Sequence, residues 1–140
     1  MNLPYAEDIK HYWETSRSSS DEWVDRAKRL ILSMGGNILQ EAFGSIDGKS
    51  AFMLKFELDS SEFKVVWPIL PSRSEKFQAA KRQAATLLYH DIKAKAMTAS
   101  VLGTKTAFFS YLMLPDGRAA SELATPELTE YWPLQLRSGK

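Results

Sequence analysis

Six basic or titratable side chains fall on one stretch, residues 74–102: Lys76, Lys81, Arg82, His90, Lys93 and Lys95, set against Glu75 and Asp91. Cations carried along one rigid rod can track a phosphate backbone, because each neutralised phosphate releases condensed counterions. Lys81, Arg82 and Lys93, with Lys64 and Arg73 upstream, are therefore the candidate nucleic-acid contacts. The competing reading is a solvated polar face, for which lysine is the usual residue. Asp91 and Lys95 stand four apart, which makes them helical neighbours, either as a structural ion pair or as a functional pair with shifted pKa values. A second constellation is Glu62-Phe63-Lys64 with Asp47 and Asp59 upstream. Carboxylates so grouped can hold Mg²⁺ while a lysine assists an attacking water; charged residues beside hairpin turns give the same pattern without catalysis. A third group is aromatic. Phe108, Phe109 and Tyr111, or Phe63 and Trp67, offer ring faces for base stacking or side chains for a core.

The elements that must position these groups follow from periodicity. Ser19 and Glu22 have capping-box spacing and open a helix whose buried stripe is Trp23, Ala27, Leu30, Ile31 and Met34, ended by Gly35-Gly36. Strands are expected over 37–43, 51–58 and 62–70, separated by turn residues. The second is the clearest, with Phe52, Leu54, Phe56 and Leu58 alternating with Met53, Lys55 and Glu57. A long helix is expected over 74–102, with Phe77, Ala80, Ala84, Leu88, Ala99 and Leu102 on one broad face and Gly103 as its stop. Residues 104–114 read as a fourth strand, followed by the turn Pro115-Asp116-Gly117. Thr125-Pro126 reads as the start of a short helix that Pro133 ends.

The expected fold is thus α+β in the order αβββαβα, with an antiparallel sheet of about four strands and the two main helices on one face. Its divisions are an N-terminal segment 1–18, a domain 19–118 and a C-terminal short helix and tail 119–140. The N-terminal segment carries Tyr5, Ile9, Tyr12 and Trp13, reads as a short docking helix, and joins the domain through a polar hinge at 16–20.

Composition limits the chemistry. Among 140 residues there is no cysteine and there are two histidines, His11 and His90. Thiol catalysis, disulfides and thiolate zinc sites are thereby excluded, and no cofactor or metal is expected. A net charge of +1 provides no global field, so any anion-binding site must be local. No apolar run is long enough to cross a bilayer, and residues 1–10 do not resemble a secretory signal, so a cytoplasmic location without membrane contact is expected. No nucleotide-binding loop, nucleophile elbow or zinc-protease motif occurs, and catalytic residues are not assigned.

Three resemblances bear on function. The order helix, three strands, helix, strand, together with Glu62-Phe63-Lys64, resembles restriction-endonuclease-like nucleases, although Asp47 and Asp59 fall in turns and Glu62 sits beside one. Residues 80–85 (AKRQAA), following a helix and three strands, are similar to the last helix of double-stranded-RNA-binding domains over about 21–88. The lysine cluster of that helix start is missing, leaving Lys76 alone before Phe77 and Gln78. Residues 83–121, with the IKAK segment at 92–95 and FFSYLMLPDGR at 108–118, resemble a group of small bacteriophage and prophage proteins, as does VVWPILP at 65–71. That resemblance implies origin in a mobile element and a role in phage DNA metabolism or in countering host defence. The leading expectation is a non-catalytic nucleic-acid-binding protein. The alternatives are a module that binds a host protein and a Mg²⁺-dependent nuclease. Self-association is expected if Tyr12, Trp13, Tyr131 and Trp132 find no cover within one chain.

Overall fold

The computed structural model describes residues 3–132. Its first main helix, α1 (Ser20–Ser33), starts where the capping spacing places it: Ser19 Oγ accepts the Glu22 amide at 3.1 Å. Ala27 and Ile31 are fully buried, and Trp23, Leu30 and Met34 pack against the same core. The helix ends in Gly35, whose φ of +88° is the left-handed conformation glycine adopts without strain. Gly36 has a different reason. A Cβ there would stand 2.7 Å from the Glu57 carbonyl oxygen and 2.8 Å from Ile31 Cγ2, so the chain passes too close to strand and helix for any side chain.

Three strands follow, β1 (Asn37–Ile46), β2 (Lys49–Leu58) and β3 (Ser61–Pro68), in an antiparallel sheet of order β1-β2-β3. Both hairpins have two-residue turns with positive φ at each central residue: Asp47 (51°) and Gly48 (76°), then Asp59 (54°) and Ser60 (65°). That geometry matches the twist of the flanking strands and fixes the register. Ile46 therefore pairs with Lys49, Phe43 with Phe52, and Phe56 with Phe63. Asp47 and Asp59 are accounted for as turn formers.

Helix α2 (Phe77–Leu102) lies with α1 on one face of this sheet. Between them sit Phe52, Leu54, Phe56, Phe63 and Val65 from the strands and Ala80, Ala84, Leu88 and Ile92 from α2. Each buried Phe, Leu, Ile or Val side chain among these contributes about 1.5–3 kcal/mol. The other face of the sheet is also covered. Ala51, Met53 and Val66 are packed beneath Tyr131 and Trp132, which belong to or follow α5 (Glu127–Tyr131), a helix preceded by the short α3 (Thr104–Ala107) and α4 (Ala120–Ala124). Tyr131 and Trp132 are thus buried within a single chain, and Tyr12 and Trp13 also find cover there, which removes the premise of the expected self-association.

The mixed helix and sheet architecture matches the expected class, with one segment built differently. Residues 104–114 form no fourth strand. They make a single helical turn, α3 (Thr104–Ala107), a 3-10 turn at Phe109–Tyr111, and isolated bridges at Leu112 and Met113. The reason lies in the spacing of the aromatics. Phe108 and Tyr111 both point inward, three residues apart, while Phe109 between them is exposed; that is helical spacing rather than a strand's alternation. Phe108 reaches Phe56 and Phe63 at centroid distances of 5.8 Å each. Helix α4 (Ala120–Ala124), absent from the expected order, precedes α5, and Thr125 supplies no side-chain cap to α5. Pro133 lies outside the described residues.

The N-terminal segment docks on the domain as an extended strap with one 3-10 turn, Ala6–Asp8. The buried Gln83 side-chain amide donates to the carbonyls of Ala6 (3.1 Å), Ile9 (2.9 Å) and His11 (3.3 Å). The serine run is no loose hinge: Ser16 Oγ accepts from Trp23 Nε1 at 2.7 Å and from Thr86 Oγ1 at 3.0 Å.

Candidate nucleic-acid interface

The five expected contact residues occupy unlike environments. Lys64 alternates with Phe63 and Val65 on β3, so it projects to the face opposite the main helices, where α4 lies. It is 2% exposed, its ammonium 2.6 Å from Glu122 Oε2 and donating to the Gly117 carbonyl at 2.9 Å. An ammonium so enclosed does not reach a phosphate, and Lys64 leaves the candidate set. Arg73, in the loop before α2, is exposed but engaged. It donates to both carboxylate oxygens of Asp8 at 2.8 and 2.6 Å and lies over the Tyr5 ring at 4.4 Å. That fork raises the Arg73 pKa and lowers that of Asp8. Lys76 is likewise held by Glu14 at 2.7 Å, a hydrogen bond that raises its pKa.

Lys81, Arg82 and Lys93 differ. Among the described residues none of them has a carboxylate within ion-pair distance. Eleven residues separate Arg82 from Lys93, close to three helical turns, so both lie on one side of α2 about 16 Å apart. Lys81 is turned about 100° from Arg82 and faces β1, with its ammonium 4.2 Å from the centre of the Phe43 ring. Phe43 is accessible because α1 covers only the start of β1. On the helix side of that strand Ile38 is packed into the core, whereas Glu41, Phe43 and Ser45 are exposed.

Further along α2, Asp91 and Lys95 are neighbours as their spacing implies, at 2.9–3.0 Å. A third member was not foreseen: the Tyr111 hydroxyl donates to Asp91, and Lys95 lies over the Tyr111 ring at 4.9 Å. Burial, reinforced by the Asp91 charge, raises the Tyr111 pKa well above that of a free phenol, so this hydroxyl stays protonated. The trio joins α2 to the 3-10 turn after it. His90 stacks on Tyr12 of the strap at 4.9 Å, and burial with Lys93 nearby lowers its pKa.

The expected stacking platforms are not surfaces. Phe63 and Phe108 are fully buried and Tyr111 nearly so; Phe109 alone of that group is well exposed. The Mg²⁺ arrangement is not assembled either. Glu62 is an exposed side chain 3.9 Å from Lys55, Lys64 is bound to Glu122, and among the described residues no three His, Cys, Asp or Glu side chains cluster to hold a metal. No helix among the described residues is long and apolar enough to cross a membrane.

Comparison with protein-family models, curated proteins and solved structures finds no match to this chain. The functional reading therefore rests on the residues.

Proposed function

We propose that this is a non-catalytic nucleic-acid-binding protein of a phage-like mobile element, with its contact surface on α2. The observation that carries the reading is the contrast among its cations. Arg73, Lys76 and Lys95 are spent on Asp8, Glu14 and Asp91 and Lys64 on Glu122, while Lys81, Arg82 and Lys93 have no carboxylate at ion-pair distance among the described residues. Three cations on one rigid helix suit phosphates, and three contacts to a single strand correspond to a salt slope of about −2 on logarithmic axes. A fluorescence-anisotropy titration with labelled DNA and RNA at two salt concentrations tests this. Binding that weakens with that slope, and is abolished by joint Lys81→Gln, Arg82→Gln and Lys93→Gln substitution, supports it. Absence of binding at low salt refutes it.

A second reading has its own observation. Met97, Val101, Leu102 and Phe109 are all more than half exposed at the C-terminal end of α2, and residues 92–115 include three lysines but no acidic residue. Such a patch fits a protein-binding module directed at a host complex. It is the reading to pursue if the titration shows nothing.

A further inference from the structure

Phe43 and Phe77 are 41% and 43% exposed, and Lys81 contacts the first of them. Phe77 precedes Lys81 by one helical turn, so the two side chains leave α2 on the same flank with Cβ atoms about 6 Å apart. The Lys81 ammonium lies over the face of the Phe43 ring, 4.2 Å from its centre. The Phe43 ring rests on the buried Phe52, directly opposite it in the hairpin, at 5.2 Å between centroids. Phe77 also forms part of the wall of an open depression of about 500 Å³ between the Asp47–Gly48 turn and the loop entering α2. Lys49, Ser72 and Glu75 line that depression together with Leu70.

We infer that Phe43, Phe77 and Lys81 form a stacking site for unpaired nucleotides, making the partner a single strand. The inference rests on the nucleic-acid reading above and names its substrate class. Every base has an apolar face, and stacking it on an aromatic side chain strengthens binding by about five- to a hundredfold per base, with little regard to sequence. The Lys81 ammonium that covers the Phe43 ring in this structure gives up that place to a base and moves to the phosphate of the stacked nucleotide. The depression beside Phe77 mixes an apolar floor with hydroxyl, ammonium and carboxylate groups, a lining suited to the polar edge of a base. A duplex has its base faces covered, so the two phenylalanines give it nothing. The cations at the start of α2 that could grip duplex phosphates, Arg73 and Lys76, are occupied by Asp8 and Glu14.

The test is anisotropy with a labelled oligothymidylate of about twenty nucleotides and with a duplex of equal length, at about 50 mM salt. The proteins are the full chain and its Phe43→Leu/Phe77→Leu variant, both checked by thermal melting. Leucine keeps apolar bulk at two half-exposed positions, so the melting temperature should move little. The expected result is at least tenfold tighter binding of the single strand, and a ten- to hundredfold loss of that binding in the variant with duplex affinity unchanged. Equal affinity for both strands, or a variant that binds oligothymidylate like the parent, overturns the stacking site and leaves the nucleic-acid reading standing. No binding of either oligonucleotide overturns both.

Discussion

Replacing Glu122 by alanine should be among the most damaging single changes available to this protein. The Glu122 carboxylate is fully buried, and it accepts from the Lys64 ammonium at 2.6 Å and from the Ala119 amide at 2.8 Å. Truncation takes that carboxylate away from the ammonium of a 2% exposed lysine, which still donates to the Gly117 carbonyl. Breaking a buried pair from one side costs about 3–5 kcal/mol, and the unmet Ala119 amide adds about 1 kcal/mol. Against a total stability of about 5–15 kcal/mol this is a large fraction. For a chain of this size it corresponds to a fall in Tm of about 15 °C. Removing both charges is a different perturbation. Lys64→Met with Glu122→Leu keeps similar bulk and strands no charge, so the double variant should recover at least half of the loss. Urea and thermal unfolding of the two singles and the double close the cycle. A Glu122→Ala shift below about 4 °C, or a double variant whose loss equals the sum of the singles, would refute the reasoning. The same variants bear on function. Because Lys64 is enclosed, Lys64→Met should leave the salt slope of nucleic-acid binding unchanged wherever the protein remains folded.

Other outcomes follow from the strap and the turns. Asp8→Asn with Glu14→Gln releases Arg73 and Lys76 from their carboxylates, and for single-stranded DNA the salt slope should steepen by about 1.4, with tighter binding at low salt; an unchanged slope in anisotropy would count against any role for those cations. The Glu7 carboxylate accepts from the Ser74 and Ser72 hydroxyls and from the Ser74 amide, and these hydrogen bonds hold its pKa well below the ordinary glutamate value. Its contribution is therefore complete above the unfolded value near 4.3 and is lost as pH falls through the lower folded value. Acid titration monitored by exchange of the Ala6 amide, which donates to Pro71, should loosen the strap below about pH 4, and Glu7→Gln should flatten that dependence. Gly36→Ala drives a Cβ against the Glu57 carbonyl oxygen and should cost about 1–3 kcal/mol in a denaturant melt, whereas Gly48→Ala meets no atom and costs only what its positive φ imposes.

Much of this fold is legible in short-range pattern. The alternation from Phe52 to Leu58, the Ser19 cap and the glycine stop at 103 each depend on neighbours a few residues away, and each element appears where its pattern puts it. The aromatic run 108–111 reads as a strand by composition, whereas its inward positions, three apart, obey a helical turn. The candidate site was partly within reach. A two-residue turn at Asp47–Gly48 sets Phe43 opposite Phe52 by counting, and Phe77 and Lys81 share a flank by spacing alone. What no local pattern supplies is that α1 stops short of Phe43 and leaves it uncovered. Nor does a local pattern supply the fate of Lys64. Its partner Glu122 lies 58 residues downstream in a helix that periodicity did not announce, and a charge near a turn looks the same in sequence whether it faces water or a buried carboxylate.

The Gln83 amide has a consequence for the nascent chain. It bonds carbonyls of residues 6, 9 and 11, made 72 to 77 positions earlier. At a synthesis rate of about 5–20 residues per second, the strap waits roughly 4–15 s on the ribosome before the side chain that anchors it exists. During that interval Ala6 and Trp13 have no core to enter, and a segment made well before its anchor is among the last to find its place.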